Sequence, residues 1–530
     1  MSPPRALSRS GGRPGSPAAA PRPRSRARLA SPPAPGDALL AIDVGTSGAR
    51  AAAFDLDGRR IVEARRSYAT FSPQSGWAEQ DGQAWRSAAL SALAGAVRQL
   101  PAGWQVRAVG LTGQCPSFVP LDEHAAPVGM GLIYRDNRAT AEAGAIRERF
   151  GDAALHRLTG HLPAAFHIAP KLLWLRAHRP EVFAATRTVA QPRDLVAHAL
   201  TGEWATEGTH AAATLLFDLR ARSWSSEMFE ALGLDPAIVP PVRSALHVVG
   251  SVRPSVARRV GLGTDVPVIL GGADSQACAF GAGVVASGPV SEMAGSSTCL
   301  NSVVAEPLDD LRITHYTHVL PEGFTTETGI NTTGEAVRWA AELLYGGRSG
   351  RPGALDYLRL DHEAAGAPAG AGGLLALVAL ADGERDDPAL RGAFTGLSLR
   401  HGRGELARAV LEGAAFAIRG QLELLRRAGG AVDELRVSGG DARLVAWNRI
   451  KADATGLPVV RIPGDAASTG VAMLAGLGAG VYRDVEEAMR RAVGVAERLD
   501  PDPDVRALYD ERYEAWRRLA GSDVVRRGNG

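Results

Sequence analysis

Apolar residues along the chain follow two different periods, which predicts that strands and helices alternate. Residues 39–54 are largely apolar, with a break of polar and small residues at 43–50, and residues 106–111 form a second apolar run. Such runs are typical of buried strands. The segment between them has apolar residues at helical spacing: Trp85, Ala89, Leu93, Val97 and Leu100. This alternation predicts an α/β architecture in which each apolar stripe packs into a core.

One arrangement, an apolar strand followed by small polar residues, occurs twice. Asp43, Gly45, Thr46 and Ser47 end the first apolar strand, and Gly295-Ser296-Ser297 lies between two later apolar runs. Backbone N–H groups and hydroxyls in such a turn can bind a phosphate, and a neighbouring carboxylate can hold a hydrated metal ion. An ordinary hairpin turn is the alternative interpretation. The repetition indicates two related α/β domains that face each other across a cleft.

Composition limits the classes of protein that remain. The 530 residues are 45% apolar and 22% charged, as in a globular protein with several full cores, and no apolar run is long enough to span a bilayer. Neither nucleic acid nor a membrane is therefore expected as a partner. Residues 1–36 hold seven arginines, no acidic residue and many prolines. We expect this extension to be disordered, because it cannot bury enough apolar surface.

Cysteine and lysine are both scarce. Cys115, Cys278 and Cys299 are far apart in the sequence, which argues against a disulfide framework or a thiolate metal site. This cysteine usage favours a reducing cytoplasm. Lys171 and Lys451 are the two lysines of the chain, so arginine carries almost all of the positive charge.

Four motifs in a fixed order resemble those of the FGGY family of carbohydrate kinases. They are Asp43-x-Gly45-Thr46-Ser47, Gly272-Ala273-Asp274 before a helix-like segment, Gly295-Ser296-Ser297, and Gly439-Gly440 before Trp447. Segments 77–81, 112–114, 134–139 and 170–174 add weaker matches, so the resemblance covers about residues 37–513. It implies two actin-like ATPase domains, of the ribonuclease H-like type, that face a central cleft.

The resemblance also implies a division of the chain. Residues 37–265 would form an N-terminal kinase domain with the sugar pocket and the phosphate hairpin. Residues 266–515 would form a C-terminal domain with the nucleotide site and the catalytic aspartate, and residues 516–530 would be a tail.

The chemistry implied by the resemblance is transfer of the γ-phosphoryl group of ATP to a sugar hydroxyl, which depends mainly on positioning and charge stabilisation. Asp274 is the expected general base, and the alternative is an aspartate that caps the following helix. Asp43 and Asp274 are expected to hold Mg²⁺ through water. The expected nucleotide-binding residues are Asp43, Gly45, Thr46, Ser47, Gly295, Ser296, Ser297, Gly334, Gly439, Gly440, Asp441 and Leu444. Asp441 stands where the family usually has a third Gly or an Ala.

The substrate site departs most from the family pattern. In xylulokinase-like members the Gly-Gln turn continues with Met-His and in glycerol kinases with Arg-Glu, whereas Cys115 and Pro116 follow Gln114 here. The expected substrate residues are Gln114, Cys115, Pro116, Asp136, Phe166, His167, Asp274 and Gln276. His167 could instead be a surface residue, and Asp136 could form a structural ion pair with Arg135 or Arg138.

These residues lead to the expectation of an ATP-dependent kinase of a ketopentose such as xylulose. Two alternatives remain open: a kinase of another polyol, hexulose or sugar acid, and a catalytically inactive regulator that binds nucleotide or sugar on the same fold. The expected partners are ATP, Mg²⁺ and a small sugar or polyol. A homodimer is left open, because a single chain carries no reliable mark of one.

Overall fold

The chain folds into two large sheets with helices on their faces and small sheets at their rims. The computed structural model describes residues 36–346, 354–381, 383–385 and 387–526, so the predicted extension lies outside the described residues up to residue 35. Within these ranges no helix is both long and apolar enough to cross a membrane. The strands are β1 Asp37–Val44, β2 Gly48–Asp55, β3 Arg60–Ser67, β4 Glu79–Gln80, β5 Gln105–Gly113, β6 Val119–Leu121, β7 Gly131–Leu132, β8 Thr188–Ala190, β9 Thr206–Glu207, β10 Phe217–Asp218, β11 Ser223–Trp224, β12 Val242–Arg243, β13 Val248–Ser251, β14 Pro267–Ile269, β15 Gly288–Ala294, β16 Thr298–Val304, β17 Thr314–Thr317, β18 Phe324–Ile330, β19 Leu375–Leu377, β20 Ala393–Thr395, β21 Val432–Gly439, β22 Val459–Arg461 and β23 Glu497–Leu499. The helices are α1 Gly82–Gln99, α2 Thr140–Phe150, α3 Asp152–Thr159, α4 Ile168–His178, α5 Pro180–Ala185, α6 Pro192–Thr201, α7 Gly208–Ala212, α8 Ser226–Leu232, α9 Pro254–Val260, α10 Asp274–Gly281, α11 Gly334–Tyr345, α12 Ala354–Gly366, α13 Arg403–Arg427, α14 Val445–Thr455, α15 Ala466–Gly478, α16 Val485–Ala492 and α17 Pro503–Ala520.

The two large sheets share one strand order and one set of strand directions. The first sheet has the order β3-β2-β1-β5-β14-β13, and the second has the order β18-β16-β15-β21-β22-β23, with β17 added beside β18. In each sheet the first two pairings are antiparallel, the next two are parallel and the last is antiparallel. The β1–β2 and β15–β16 hairpins are therefore equivalent, and the repetition indicated by their turns is present in the topology.

β1 is apolar on both faces because both faces of the first sheet are covered. Leu40 and Ile42 share a core with Trp85 of α1, and Leu39 and Ala41 share another core with α15. A strand that is buried on both faces has a continuous apolar sequence rather than an alternating one. The helix predicted from the spacing of Trp85 and its neighbours is α1.

Two helices connect the large sheets. α10 follows β14 of the first sheet and precedes β15 of the second, whereas α15 follows β22 of the second sheet and packs against β1 and β5 of the first. The two helices approach closely, since a Cβ on Gly470 would overlap Ala277 O and a Cβ on Gly281 would overlap Ala466 O. Glycine at these two positions lets the backbones pack directly together.

The two sheets divide the chain later than the boundary at 265–266 expected from the sequence. β14 pairs in parallel with β5, with Val268 opposite Val109, so this strand belongs to the first sheet. The apolar run at 266–270 carries no local information about its partner strand. At the other end, residues 516–520 complete α17 rather than forming a tail, and Trp516 Nε1 donates to Ala376 O at 3.1 Å.

Candidate active site

The β1–β2 hairpin presents its turn at the edge where β1 and β5 end. Gly45 N–H donates to Gly48 O at 3.1 Å, which closes the turn. A Cβ on Gly48 would overlap the backbone of β3, so this position requires glycine. Thr46 O accepts from Gln80 Nε2 at 2.7 Å, and Ser47 is exposed. The hydroxyl of Ser47 is thus accessible to a phosphate.

Asp43, near the end of β1, lies beside a positive charge. Arg50 is opposite Asp43 on β2, and Arg50 Nη2 donates to Asp43 Oδ2 at 2.9 Å. Nη1 of the same guanidinium pairs with Asp465, the N-cap residue of α15. Burial raises the pKa of Asp43 above its ordinary value, and the charge of Arg50 opposes that rise. Arg50 therefore orients the Asp43 carboxylate and joins the first sheet to α15.

Asp274 is the first residue of α10. Ala273 occupies the N-cap position, so Asp274 is not the capping residue that was the alternative interpretation. Asp274 Oδ1 accepts the N–H of the adjacent Ser275 at 2.8 Å. Burial raises the pKa of Asp274 to about 7, and the negative charges of Asp43 and Glu327 contribute to the rise. A carboxyl whose pKa is close to neutral pH suits a general base.

The β15–β16 hairpin meets the start of α11 and the end of β21. Ser296 O accepts the N–H of Glu335 at 2.9 Å. Gly334 is so closely packed that a Cβ there would overlap Gly295 O and Asp441 Oδ2. Burial raises the pKa of Asp441 above its ordinary value. Gly295, Gly334 and Asp441, three of the expected nucleotide residues, are thus brought together, with Gly334 buried between the other two.

The glycine pair at the end of β21 turns the chain toward α14. Gly439 has a φ of +97°, and a Cβ there would overlap the backbone of β15. Gly439 and Gly440 are both exposed. Leu444 is 4% exposed and belongs to the core that contains Trp447, so its side chain does not lie at this surface as expected for adenosine packing. The apolar character of Leu444 serves the core, and the backbone of the glycine pair remains as the accessible surface.

A cavity of about 650 Å³ separates segment 161–167 of the first domain from β17 and β18 of the second sheet. Four expected substrate residues line it: Cys115, Pro116, Phe166 and His167. Other polar residues of its wall were not among the predicted site residues: Tyr134, His161, Thr314, Tyr316, Glu327, Asn331 and Arg385. Ser275 Oγ donates to Glu327 Oε2 at 2.8 Å, so the cavity adjoins the segment that carries Asp274. Aromatic rings and convergent polar groups are typical of a small-molecule site.

Two histidines form part of the cavity wall. His167 is 1% exposed, which excludes the surface alternative, and its Nε2 lies 3.3 Å from Nδ1 of His161. Burial lowers the pKa of His167 to about 3, so this ring is neutral at pH 7. His161 Nε2 is buried and has no hydrogen-bond partner within the described part of the chain. Phe166 is 38% exposed beside them and can stack on an apolar sugar face.

Asp136, an expected substrate residue, is a structural ion-pair partner instead. Its side chain is fully buried, and Oδ2 accepts from Arg138 Nη2 at 2.7 Å and from Ala78 N–H at 2.7 Å. The guanidinium of Arg138 also donates to Glu79 at 2.7 Å and lies 3.7 Å from the ring centre of Trp77. The alternative pairing with Arg138 is therefore the one that the structure contains.

Gln114 and Gln276 are also placed behind the cavity wall rather than on it. Gln114 is 1% exposed, and its Nε2 donates to Gln80 Oε1 at 2.8 Å. Gln80 Oε1 accepts from Trp85 Nε1 as well, at 2.7 Å. Gln276 is 2% exposed within α10. The resemblance to the family led to the expectation of a substrate contact for these two residues, but both side chains are buried.

Both lysines are fully buried. Lys171 Nζ donates to Ile133 O at 2.7 Å and to Phe166 O at 2.8 Å, which fixes two segments of the cavity wall. Lys451 Nζ pairs with Glu292 Oε1 at 2.6 Å inside the second domain. Neither lysine lies on a hairpin turn, and each ammonium group is held by protein acceptors.

Asp43 and Asp274 are a donor pair that fits Mg²⁺. Within the described ranges no group of three or more His, Cys, Asp or Glu could hold a metal ion by itself. Mg²⁺ retains several waters and commonly combines one or two carboxylates with phosphate oxygens. Burial disfavours the charge of both carboxyls and raises both pKa values, and a cation held by them would favour the charged forms.

Two topologically equivalent α/β domains, each with a hairpin turn of small residues, and a carboxylate beside a polar cavity are the features of a sugar kinase. Residues 38–281 match the N-terminal domain of the FGGY family of carbohydrate kinases, and residues 291–479 match its C-terminal domain. The chain therefore belongs to the FGGY family of carbohydrate kinases, whose members use ATP.

Individual relatives agree with this assignment. The chain is 28% identical to xylulose kinase of Bacillus subtilis (strain 168) over 488 residues, which is 91% of this chain and 96% of that protein. It is 29% identical to autoinducer-2 kinase of Enterobacter sp. (strain 638) over 497 residues, 90% of this chain and 93% of that one. The crystal structure of xylulose kinase from Rhodospirillum rubrum has a TM-score of 0.85 at 30% identity, with coverage of 91% and 98%. The predicted actin-like fold is confirmed.

Proposed function

We propose that this sugar kinase transfers the γ-phosphoryl group of ATP to a hydroxyl of a ketopentose of the xylulose type. The observation that carries the proposal is Asp274, a carboxyl with a pKa of about 7 that adjoins both the polar cavity and the Asp43 hairpin. The likeness to xylulose kinases over 91% of the chain supports the choice of substrate.

In the proposed reaction Asp274 accepts the proton of the attacking hydroxyl. Ser275 N–H holds Oδ1, and we assign Oδ2 to the substrate. The turn at Thr46 and Ser47 would bind the β- and γ-phosphates, and Arg50 keeps Asp43 directed toward them. When bound at Asp43 and Asp274 through water, Mg²⁺ supplies neutralisation of phosphate charge. Closure of the two domains around the cavity would exclude water and limit idle hydrolysis of ATP.

The substrate wall supports a polyol but differs from both familiar patterns. Phe166 is 38% exposed and offers a face for stacking on the substrate. Cys115 and Pro116 stand where Met-His follows the Gly-Gln turn in xylulokinase-like members. A second candidate is therefore a kinase of another linear polyol, which the 29% identity to an autoinducer-2 kinase also favours.

A coupled assay of ADP release with a panel of pentuloses, hexuloses, linear polyols and sugar acids tests this proposal. We expect the highest kcat/KM for a pentulose and loss of turnover by at least ~100-fold in Asp274→Asn. Asp122→Asn, which changes a carboxylate in a surface turn, is the control and should retain activity. ADP release that does not depend on any sugar, or normal turnover in Asp274→Asn, would contradict the proposal.

A further inference from the structure

A buried polar cluster lies behind Asp274, and the phosphoryl transfer proposed above does not use it. Its members are Arg193, Asp194, Glu207, Thr209 and His210, each no more than 1% exposed. Charged side chains are rarely buried to this extent unless they are paired. We therefore expect these paired charges to fix the positions of the chain segments that they contact.

Glu207 is the acceptor at the centre of this cluster. It accepts the N–H of Thr209 at 2.7 Å, the hydroxyl of Thr209 at 2.6 Å and the N–H of His210 at 3.0 Å. Burial alone would raise the pKa of Glu207, but the hydrogen bond with the His210 side chain, whose Nδ1 lies 2.7 Å from Oε1, and the charge of Arg193 outweigh burial and lower the pKa to about 2. Glu207 is thus ionised throughout the working pH range and can only accept hydrogen bonds.

The ionised state of Glu207 fixes the donor and acceptor roles of the Thr209 hydroxyl. Since Glu207 cannot donate, the hydroxyl hydrogen of Thr209 points to Glu207, and an oxygen lone pair of Thr209 is left for another donor. That donor is the N–H of Ala273, at 2.8 Å. Ala273 is the N-cap residue directly before Asp274, and its methyl side chain cannot hold the helix start.

The same cluster fixes other parts of the site. Arg193 Nη1 donates to Leu270 O at 3.1 Å, so both ends of segment 270–273 are held. On the other side, His210 O accepts from Gln191 Nε2 at 2.9 Å, and Gln191 Oε1 lies 3.6 Å from Cys115 Sγ in the cavity wall. One buried network thus spans from the substrate wall to the start of α10.

We propose that Thr209, held by Glu207, is a positioning residue that sets the place of Asp274 relative to the substrate hydroxyl. The proposal rests on the assignment of Asp274 as the general base. Displacement of a reacting group by about 1 Å can reduce a rate by about 100-fold. The Thr209 hydroxyl therefore acts on kcat through Asp274, without touching either substrate.

Thr209→Val, Thr209→Ser and Thr214→Val form a matched test. Valine keeps the shape of threonine without its hydroxyl, whereas serine keeps the hydroxyl. Thr214 is the control, because it is equally buried at 2% exposure and its hydroxyl bonds within its own segment: it donates to Ala211 O at 2.6 Å and accepts the N–H of Leu216 at 3.0 Å. The measurements are kcat, the KM values for sugar and ATP, and the pH profile of kcat/KM.

We expect kcat of Thr209→Val to fall by ~10- to 100-fold with both KM values nearly unchanged, because the base and not the binding surfaces is displaced. The pH profile of kcat/KM of Thr209→Val should also shift relative to that of the wild type. Thr209→Ser should recover most of the rate, and Thr214→Val should resemble the wild type. Should Thr209→Val fail to fold, Thr209→Ala against Thr214→Ala makes the same comparison.

Equal losses in Thr209→Val and Thr209→Ser, or in Thr209→Val and Thr214→Val, would overturn the inference, as would an unchanged kcat in Thr209→Val. If Asp274→Asn abolishes turnover while Thr209→Val does not, the positioning role alone is refuted. If Asp274→Asn is active, the assignment of the base itself fails.

Discussion

Replacement of Asp274 with Asn should make the protein inactive and, at the same time, more stable above neutral pH. The pKa of Asp274 is about 7 in the folded protein, against an ordinary value of 3.8, mainly because of burial. Between pH 3.8 and 7 the unfolded chain loses this proton while the folded protein keeps it. Stability therefore falls as the pH rises through this window, and the full loss is present above pH 7.

The size of the effect follows from the same values. One pKa unit corresponds to about 1.4 kcal/mol, so the rise from 3.8 to about 7 means that ionised Asp274 destabilises the fold by about 4 kcal/mol at pH 8. Asparagine is neutral at every pH and of similar volume. Asp274→Asn should thus recover much of this amount at pH 8 and almost none near pH 4.

Thermal unfolding of both proteins at a series of pH values measures this difference. We expect the Tm of Asp274→Asn to exceed that of the wild type by several degrees at pH 8 and the two values to converge at acidic pH. Asp136→Asn is a control of opposite sign, because it breaks a buried pair with Arg138 and should cost about 3–5 kcal/mol. A lower Tm for Asp274→Asn at pH 8 would refute the reasoning, since Asp274 would then stabilise the fold.

Three further variants test other parts of the site. Asp43→Asn should move the acidic limb of the kcat/KM profile to lower pH, because the charge of Asp43 contributes to the raised pKa of Asp274; an unmoved limb would show that the two are not coupled. Gly334→Ala should raise the KM for ATP more than the KM for sugar, since a Cβ would overlap Gly295 O and Asp441, and equal changes in both constants would argue against a nucleotide surface there. Lys451→Met should lower the free energy of unfolding by about 3–5 kcal/mol by leaving Glu292 buried without its partner, as chemical denaturation would measure, and a neutral effect would refute a stabilising role for this pair.

The sequence was informative where a feature depends on neighbouring residues. The turn at Gly45 and Gly48, the stripe of α1 and the repeated hairpin all follow from local patterns. The far wall of the cavity does not, because Tyr316 and Arg385 approach the segment at 161–167 only when the two domains pack together. No periodicity marks residues that meet across a cleft.

Two residues that were expected to contact a ligand, Asp136 and Leu444, are buried elsewhere, and each case has a physical cause. Asp136 lies two residues before Arg138, and this close pair of opposite charges was a signal for the structural interpretation, but sequence alone could not weigh it against a substrate contact. Leu444 lies four residues after Gly440 of the exposed glycine pair, yet its side chain turns into the core with Trp447. At such a turn, a shift of one residue along the chain decides whether a side chain faces the cleft or the core. The composition of the segment does not determine that shift.

The burial of Lys171 and Lys451 has a practical consequence for studies of motion in this enzyme. Since these are the two lysines of the chain and both are fully buried, acylating reagents that attack primary amines should leave both side chains unmodified in the folded state. Acylation of Lys171 would then report opening of the N-terminal domain, and acylation of Lys451 would report opening of the C-terminal domain. The natural sequence thus contains one chemical probe in each domain, and mass spectrometry after timed exposure to reagent could follow their separate stabilities without any substitution.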